Sequence, residues 1–150
     1  MTGYRLSVLI DRPLPEVFDY VATHHDENHP NWEPEVLAIR KVTDGPLRVG
    51  SEAVMTRRDF GYTRDVPYSV TEFEPERVIA MRSVERSLTF DIAFRFAPRG
   101  PEKTELITVV DIAASGLLRP LESVINAMFR RSGVSRANRL KQVVENGRGT

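Results

Sequence analysis

The segment His24-His25-Asp26-Glu27-Asn28-His29 is the densest run of chemically competent side chains in the chain. If it is helical, His25 and His29 stand at i and i+4 on one face, a spacing that can hold one metal ion with Asp26 or Glu27 as further ligands. Pro30 keeps such a helix short, and the same imidazoles could instead serve as a general base or line a hydrated rim. A second group is basic: Arg57, Arg58 and Arg64 flank Asp59-Phe60-Gly61-Tyr62, where guanidinium groups could grip a carboxylate or enolate oxygen of a ligand. A third is Glu72 with Tyr68, a carboxyl and a phenol that could act as acid or base if both faced an apolar interior that raised the carboxyl pKa. The pairs Glu33/Glu35 and Glu74/Glu76 flank prolines and read as solvated turn residues. The chain has no cysteine, no glycine-rich phosphate loop and no nucleophile elbow, so disulfides, thiolate metal sites, iron–sulfur clusters and a cysteine nucleophile are excluded. The expectation is no metal and no cofactor.

The elements that must position these groups are legible in the periodicity. Tyr4 to Asp11 alternates Leu6, Val8 and Ile10 with Arg5, Ser7 and Leu9, the period of a strand with one buried face. Pro13 and Pro15 open a short helix through Val17, Phe18 and Val21 that ends near Ala22. His24 to Pro34 reads as a loop or broken helical turn carrying Trp32. Six strand-like runs follow: 36–42, 51–58, 63–73, 78–84, 88–96 and 104–112, separated by turn residues that favour antiparallel hairpins. After Gly116, with Pro120 in the first turn, Leu121, Val124, Ile125, Met128, Phe129, Leu140, Val143 and Val144 trace one long amphipathic helix, loosened at Gly133. Residues 146–150 read as a frayed tail.

At 150 residues the chain suits one domain with one core, and 41% hydrophobic with 28% charged residues fits a folded globular protein. No apolar run approaches a membrane span, and the first ten residues lack the continuous apolar region of a signal peptide, so the expectation is a cytoplasmic protein. Twenty-one basic and twenty-one acidic residues cancel, leaving the molecule as a whole without a field that would draw nucleic acid. The charge is nonetheless segregated: residues 115–150 hold seven Arg or Lys against two Glu, +5, and the remainder carries −5.

One antiparallel sheet followed by one long helix must curl around that helix to bury the apolar sides of both, and any gap between them is a pocket. Adjacent strands share a face, so register can be carried across turns from Leu88, Phe90, Ile92, Phe94 and Phe96 as inward positions. A hairpin at Glu85-Arg86 puts Met81 opposite Phe90 and Ile79 opposite Ile92. Continuing through Glu74 to Arg77 turns Val70, Tyr68 and Glu72 inward, and continuing through Phe60-Gly61 adds Met55, Ala53, Arg57 and Arg64. The resulting candidate wall joins Trp32, Met55, Phe60, Tyr62, Tyr68, Met81, Phe90 and Phe94 to Leu121, Ile125 and Met128 of the helix, with Phe129 as wall or plain packing. Such aromatic and thioether side chains suit a flat apolar ligand.

The order of these features, together with Asp11-Arg12-Pro13-Leu14-Pro15-Glu16-Val17-Phe18, Glu27-Asn28-His29-Pro30-Asn31-Trp32, Gly45-Pro46-Leu47-Arg48-Val49-Gly50, Val70-Thr71-Glu72-Phe73-Glu74-Pro75 and Phe94-Arg95-Phe96, resembles the polyketide cyclase/dehydrase-like branch of the SRPBCC, or START-related, superfamily. The resemblance runs from Leu6 to about Val144. It implies an α+β helix-grip fold: a seven-stranded curved antiparallel sheet wrapped around a long C-terminal helix, with a short helix or turn after strand 1. It also implies a hydrophobic cavity between sheet and helix that takes lipids, sterols, hormones or aromatic polyketides. The family mixes carriers, cyclases and interaction partners, so three functions follow as expectations. The first is a carrier or sensor of a small hydrophobic or aromatic ligand, with Arg57 and Arg64 as polar contacts. The second is a cyclase, aromatase or dehydratase using Glu72, Tyr68 or an arginine. The third is a protein-interaction module working through the basic last helix, as in a toxin–antitoxin pair.

Overall fold

The computed structural model describes residues 2–59 and 61–147. Seven strands form one antiparallel sheet in the order β1-β7-β6-β5-β4-β3-β2, where β1 is Thr2–Ile10, β2 Val36–Lys41, β3 Glu52–Asp59, β4 Tyr62–Glu74, β5 Val78–Glu85, β6 Leu88–Pro98 and β7 Thr104–Ala114. Between β1 and β2 lie α1 (Leu14–Phe18), a π-helical turn (Asp19–Thr23) and α2 (His25–Trp32), and the chain closes with a 3₁₀ turn (Gly116–Leu121) running into α3 (Glu122–Asn146). The expected helix-grip order is therefore present, and Asn146, assigned to a frayed tail, is the last residue of α3. The segment expected to be a loop or broken turn is helical. Pro30 sits late in α2, and the helix ends two residues beyond it.

The side-chain period of two survives in β1, which alternates half-buried and exposed positions along its length. The β5–β6 register differs from the expected one by two residues, with Met81 opposite Ile92 and Ile79 opposite Phe94. A shift of two preserves the face, so the inward set is unchanged. The register of β4 is different. A bulge between Val70 and Glu72 keeps Val70 opposite Met81 but brings Phe73, not Glu72, opposite Ile79. The extra residue inverts the pattern beyond it, and Glu72 turns to the convex face.

The apolar interior is divided. At one end Ile10, Val17, Phe18, Val21, Ile79, Phe96 and Leu106 bury against Leu140 and Val144 of α3. This end is tied down by polar contacts: the Asp11 N–H donates to Glu145 at 2.7 Å, Lys141 Nζ donates to the Leu9 carbonyl at 2.7 Å, and Arg12 donates to the Glu145 carbonyl. At the other end Phe90, Val110 and Ile112 form a smaller cluster, packed by Tyr4, Ile125 and Phe129. Gly133 lies midway along an uninterrupted α3. A Cβ there would stand 3.0 Å from Leu6 Cδ1 and 3.2 Å from the Tyr4 hydroxyl, so the missing side chain is what lets β1 approach the helix.

Candidate functional site

Between the two clusters the concave face of the sheet and α3 enclose a cavity of about 120 Å³. That is the scale of the ~150 Å³ engineered void known to admit one benzene ring. Met55, Met81, Phe90, Phe94 and Trp32, all foreseen, line it. Arg57 and Arg64 do as well. Leu6, Val66, Ile92 and Val110 complete the apolar wall, and Phe129 closes it from α3 with its ring edge-on to Phe90 at 5.1 Å.

The remaining foreseen residues lie elsewhere. Tyr68 lines a side chamber of about 20 Å³ with His25, Asp26 and Val70, separated from the main cavity by Met81, which borders both. Burial, and then the nearby charge of Asp26, push its phenol well above the ordinary range, so it stays protonated. Ile125 packs beneath the Phe90 cluster rather than on the cavity. Tyr62, Leu121 and Met128 are exposed, the last two because they sit on the outer side of the final helical elements. Phe60 lies outside the described residues. Glu72 stands on the convex face with its side chain 46% exposed, 3.7 Å from Arg95. Replacing Glu72 by Gln is accordingly expected to leave melting temperature and ligand affinity unchanged within about 0.5 kcal/mol, as thermal and ligand titrations of the variant will read.

One end of the cavity is polar, and its organising residue is Glu33, read from the sequence as solvated but only 7% exposed. The backbone turns there after α2, Glu33 N–H donating to the His29 carbonyl at 3.2 Å, and this swings the carboxylate inward. His29 Nε2 donates to one carboxylate oxygen at 2.8 Å, while Arg57 at 3.1 Å and Arg136 at 3.8 Å attend the other. Burial alone would raise the Glu33 carboxyl, but the hydrogen bond from His29 and the charges of His29, Arg136 and Arg57 outweigh it and hold the group well below the usual carboxylate range.

The network continues across the sheet. Arg57 of β3 and Arg64 of β4 are directly opposite each other, a like-charge pair that would repel on its own. Asp59 lies between them, accepting two hydrogen bonds from Arg57 at 2.8 and 3.0 Å and one from Arg64 at 2.6 Å. Arg64 Nε in turn donates to Glu85 of β5 at 3.1 Å. Arg57 Nη1 and Arg64 Nη2 have no hydrogen-bond partner among the described residues. Both guanidinium groups border the apolar chamber, and each therefore keeps an amino group with which to meet an oxygen of a bound molecule.

The histidines expected to bind metal or act as base are otherwise engaged. His25 Nδ1 donates to the Val21 carbonyl at 2.9 Å, and burial, with help from the charge of His29, lowers its pKa to about 3, so the ring is neutral. Its ring lies 4.6 Å from that of His29, which in turn stacks on Trp32 at 5.0 Å. Among the described residues no three His, Asp or Glu side chains converge as a metal site. Sequence reasoning missed Tyr4, Ser83, Gly133 and Arg136 as cavity residues. The alternation of β1 already turned Tyr4 toward Leu6, and the i, i+3 spacing of Gly133 and Arg136 was the available signal on α3.

Residues 1–145 match the family described as polyketide cyclase / dehydrase and lipid transport. No curated protein matches the chain. Among solved structures, the Zhui aromatase/cyclase from Streptomyces sp. R1128 superposes with a TM-score of 0.81 at 15% identity, covering 96% of this chain and 93% of that one. One half of the di-domain aromatase/cyclase BexL from the BE-7585A biosynthetic pathway gives 0.84 at 17% identity, covering 100% of this chain and 48% of that one. A START superfamily protein from Mycobacterium smegmatis gives 0.79 at 15% identity, with 95% and 97% covered. At these identities the likeness concerns the fold.

Proposed function

Because the chain belongs to the polyketide cyclase/dehydrase and lipid transport family, we propose that its cavity binds a small hydrophobic or aromatic ligand whose oxygen-bearing end meets Arg57 and Arg64. One observation supports the reading: the same chamber joins an aromatic and thioether wall to two guanidinium groups, each with an amino group that has no partner among the described residues. An aryl ring would lie against Phe90, Phe129 and Met81, and a carbonyl or phenol oxygen would accept from Arg57 Nη1 or Arg64 Nη2. The net charge of the polar end supports a neutral ligand. Arg57, Arg64 and Arg136 face Glu33, Asp59 and Glu85, and a further full charge would have no counter-ion.

A second reading, an aromatase, cyclase or dehydratase, is favoured by the same guanidinium pair, since a donor aimed at a ligand carbonyl also stabilises the partial charge that develops on its oxygen when that carbonyl reacts. Glu72 is no part of it, and Glu33, held ionised by its partners, orients Arg57 and His29 rather than taking the proton.

The test is a thermal-shift comparison of acetophenone with isopropylbenzene, probes of one ring that differ in the carbonyl oxygen. Ligand at a hundred times its dissociation constant adds about 2.7 kcal/mol, or roughly 5–10 °C for a chain of this size. The ketone is expected to bind more tightly than the hydrocarbon. Equal shifts would remove the arginines from recognition, and no shift with either would overturn ligand binding.

A further inference from the structure

We infer that the face formed by the 3₁₀ turn and the first half of α3 docks on an anionic lipid bilayer. Leu121, Val124 and Met128 follow at intervals of three and four residues, one stripe of the helix, Leu117 precedes them in the 3₁₀ turn, and all four are exposed, Leu117 to 95%. They have no role in the core: the buried positions of α3 begin only at Gly133, and the inner side of this half is taken by Ile125 and Phe129.

The charges around the stripe identify what covers it. Arg86 at the β5–β6 tip, Arg119 beside Leu117, and Arg130 and Arg131 beyond Met128 are exposed and make no ion pair with any described residue. The tip and the turn adjoin, since the Ser115 N–H donates to the Ser87 carbonyl at 2.9 Å. Elsewhere on the surface the basic groups are mixed: Arg77 pairs with Glu74, Arg82 with Asp91, Arg95 with Glu72 and Arg99 with Glu105, while Arg5, Arg40, Arg58 and Arg139 are exposed with no ion pair among the described residues. The molecule is neutral as a whole, yet residues 115–150 carry +5, and four exposed arginines stand around Leu117, Leu121, Val124 and Met128.

A convex ridge of aliphatic side chains flanked by cations is the form that inserts at a lipid interface, the apolar residues entering the acyl boundary and the guanidinium groups meeting lipid phosphates. A second copy fits poorly, because a two-fold pairing of the stripe would lay these arginines against one another. A nucleic acid would meet the phosphate contacts but leave the leucines uncovered. The −5 balance outside residues 115–150 would orient the body away from the lipid. This inference goes beyond the proposed ligand and does not depend on it.

The experiment is co-sedimentation with vesicles of phosphatidylcholine and of phosphatidylcholine mixed with phosphatidylglycerol. The protein is expected to pellet with the anionic vesicles only, less so as salt is added. Each arginine removed should weaken binding about fivefold, from about 1 kcal/mol per cation at such a surface, so Arg130→Ala with Arg131→Ala costs about 25-fold. Leu117→Asp should abolish it. All three positions are exposed, so the fold is retained, and Arg40→Ala, an exposed residue of β2, should bind as wild type. Three results would overturn the inference: no preference for anionic vesicles, equal loss with Arg40→Ala, or a dimer in sedimentation velocity that Leu117→Asp dissociates.

Discussion

Glu33→Gln is expected to lower the melting temperature at pH 7 by about 6–20 °C. The carboxylate is buried and shared by His29, Arg57 and Arg136, so removing its charge leaves two guanidinium groups without their common counter-ion at the cavity wall. Breaking a buried pair in this way costs about 3–5 kcal/mol, at roughly 2–4 °C per kcal/mol for a chain of this size. The pH dependence gives the sign. The folded pKa of Glu33 lies below its unfolded value near 4.5, so its contribution is fully present above that value and is lost as pH falls toward the folded one. The gap between wild type and variant should be widest near neutrality and close in acid, as thermal melts from pH 7 down to pH 3 will show. A variant that melts with the wild type at pH 7 would mean that the arginines are held by Asp59 and Glu85 alone.

Ser83→Phe is expected to abolish ligand binding while leaving the fold intact or more stable. Ser83 faces inward on β5, opposite Phe90 and Tyr68, and borders the cavity. A phenyl group there enters a space of about one ring. It therefore fills a void instead of overpacking a dense core, and its burial contributes about 1.5–3 kcal/mol. The ligand loses the same burial, a reduction on the order of 100-fold in affinity. Titration of the variant with acetophenone, beside its melting curve, separates the outcomes. Lost binding with a retained or raised melting temperature supports the cavity, and unchanged affinity would place the ligand elsewhere.

The sequence made the sheet legible because a strand's period of two is rigid: an error of two residues at the β5–β6 turn left Met81, Phe90 and Phe94 on the correct face. The same rigidity made Glu72 wrong, since one bulge residue, invisible to hydrophobic alternation, inverts everything after it. Along the end of the 3₁₀ turn and the start of α3 the run Leu121, Val124, Ile125, Met128, Phe129 is apolar over both sides. Periodicity marked the helix without showing that Ile125 and Phe129 face the sheet while the other three face outward. Glu33 was the least legible residue. Its neighbours Trp32 and Pro34 suggest a turn, and its burial depends on Arg57 and Arg136, 24 and 103 positions away in the chain and brought to it only by the closing of the sheet on the helix.

The central claim, a ligand enclosed between sheet and helix, is tested most directly by the methionine methyl groups. Met55 and Met81 border the cavity, whereas Met128 is 48% exposed on the outer side of α3. In a protein labelled with ¹³C at the methionine methyls and titrated with acetophenone, the ring current of the bound aryl group is expected to shift the Met55 and Met81 resonances and leave Met128 in place. Movement of Met128 with Met55 and Met81 unchanged would put the aromatic molecule on the outer stripe and contradict the cavity as the binding site.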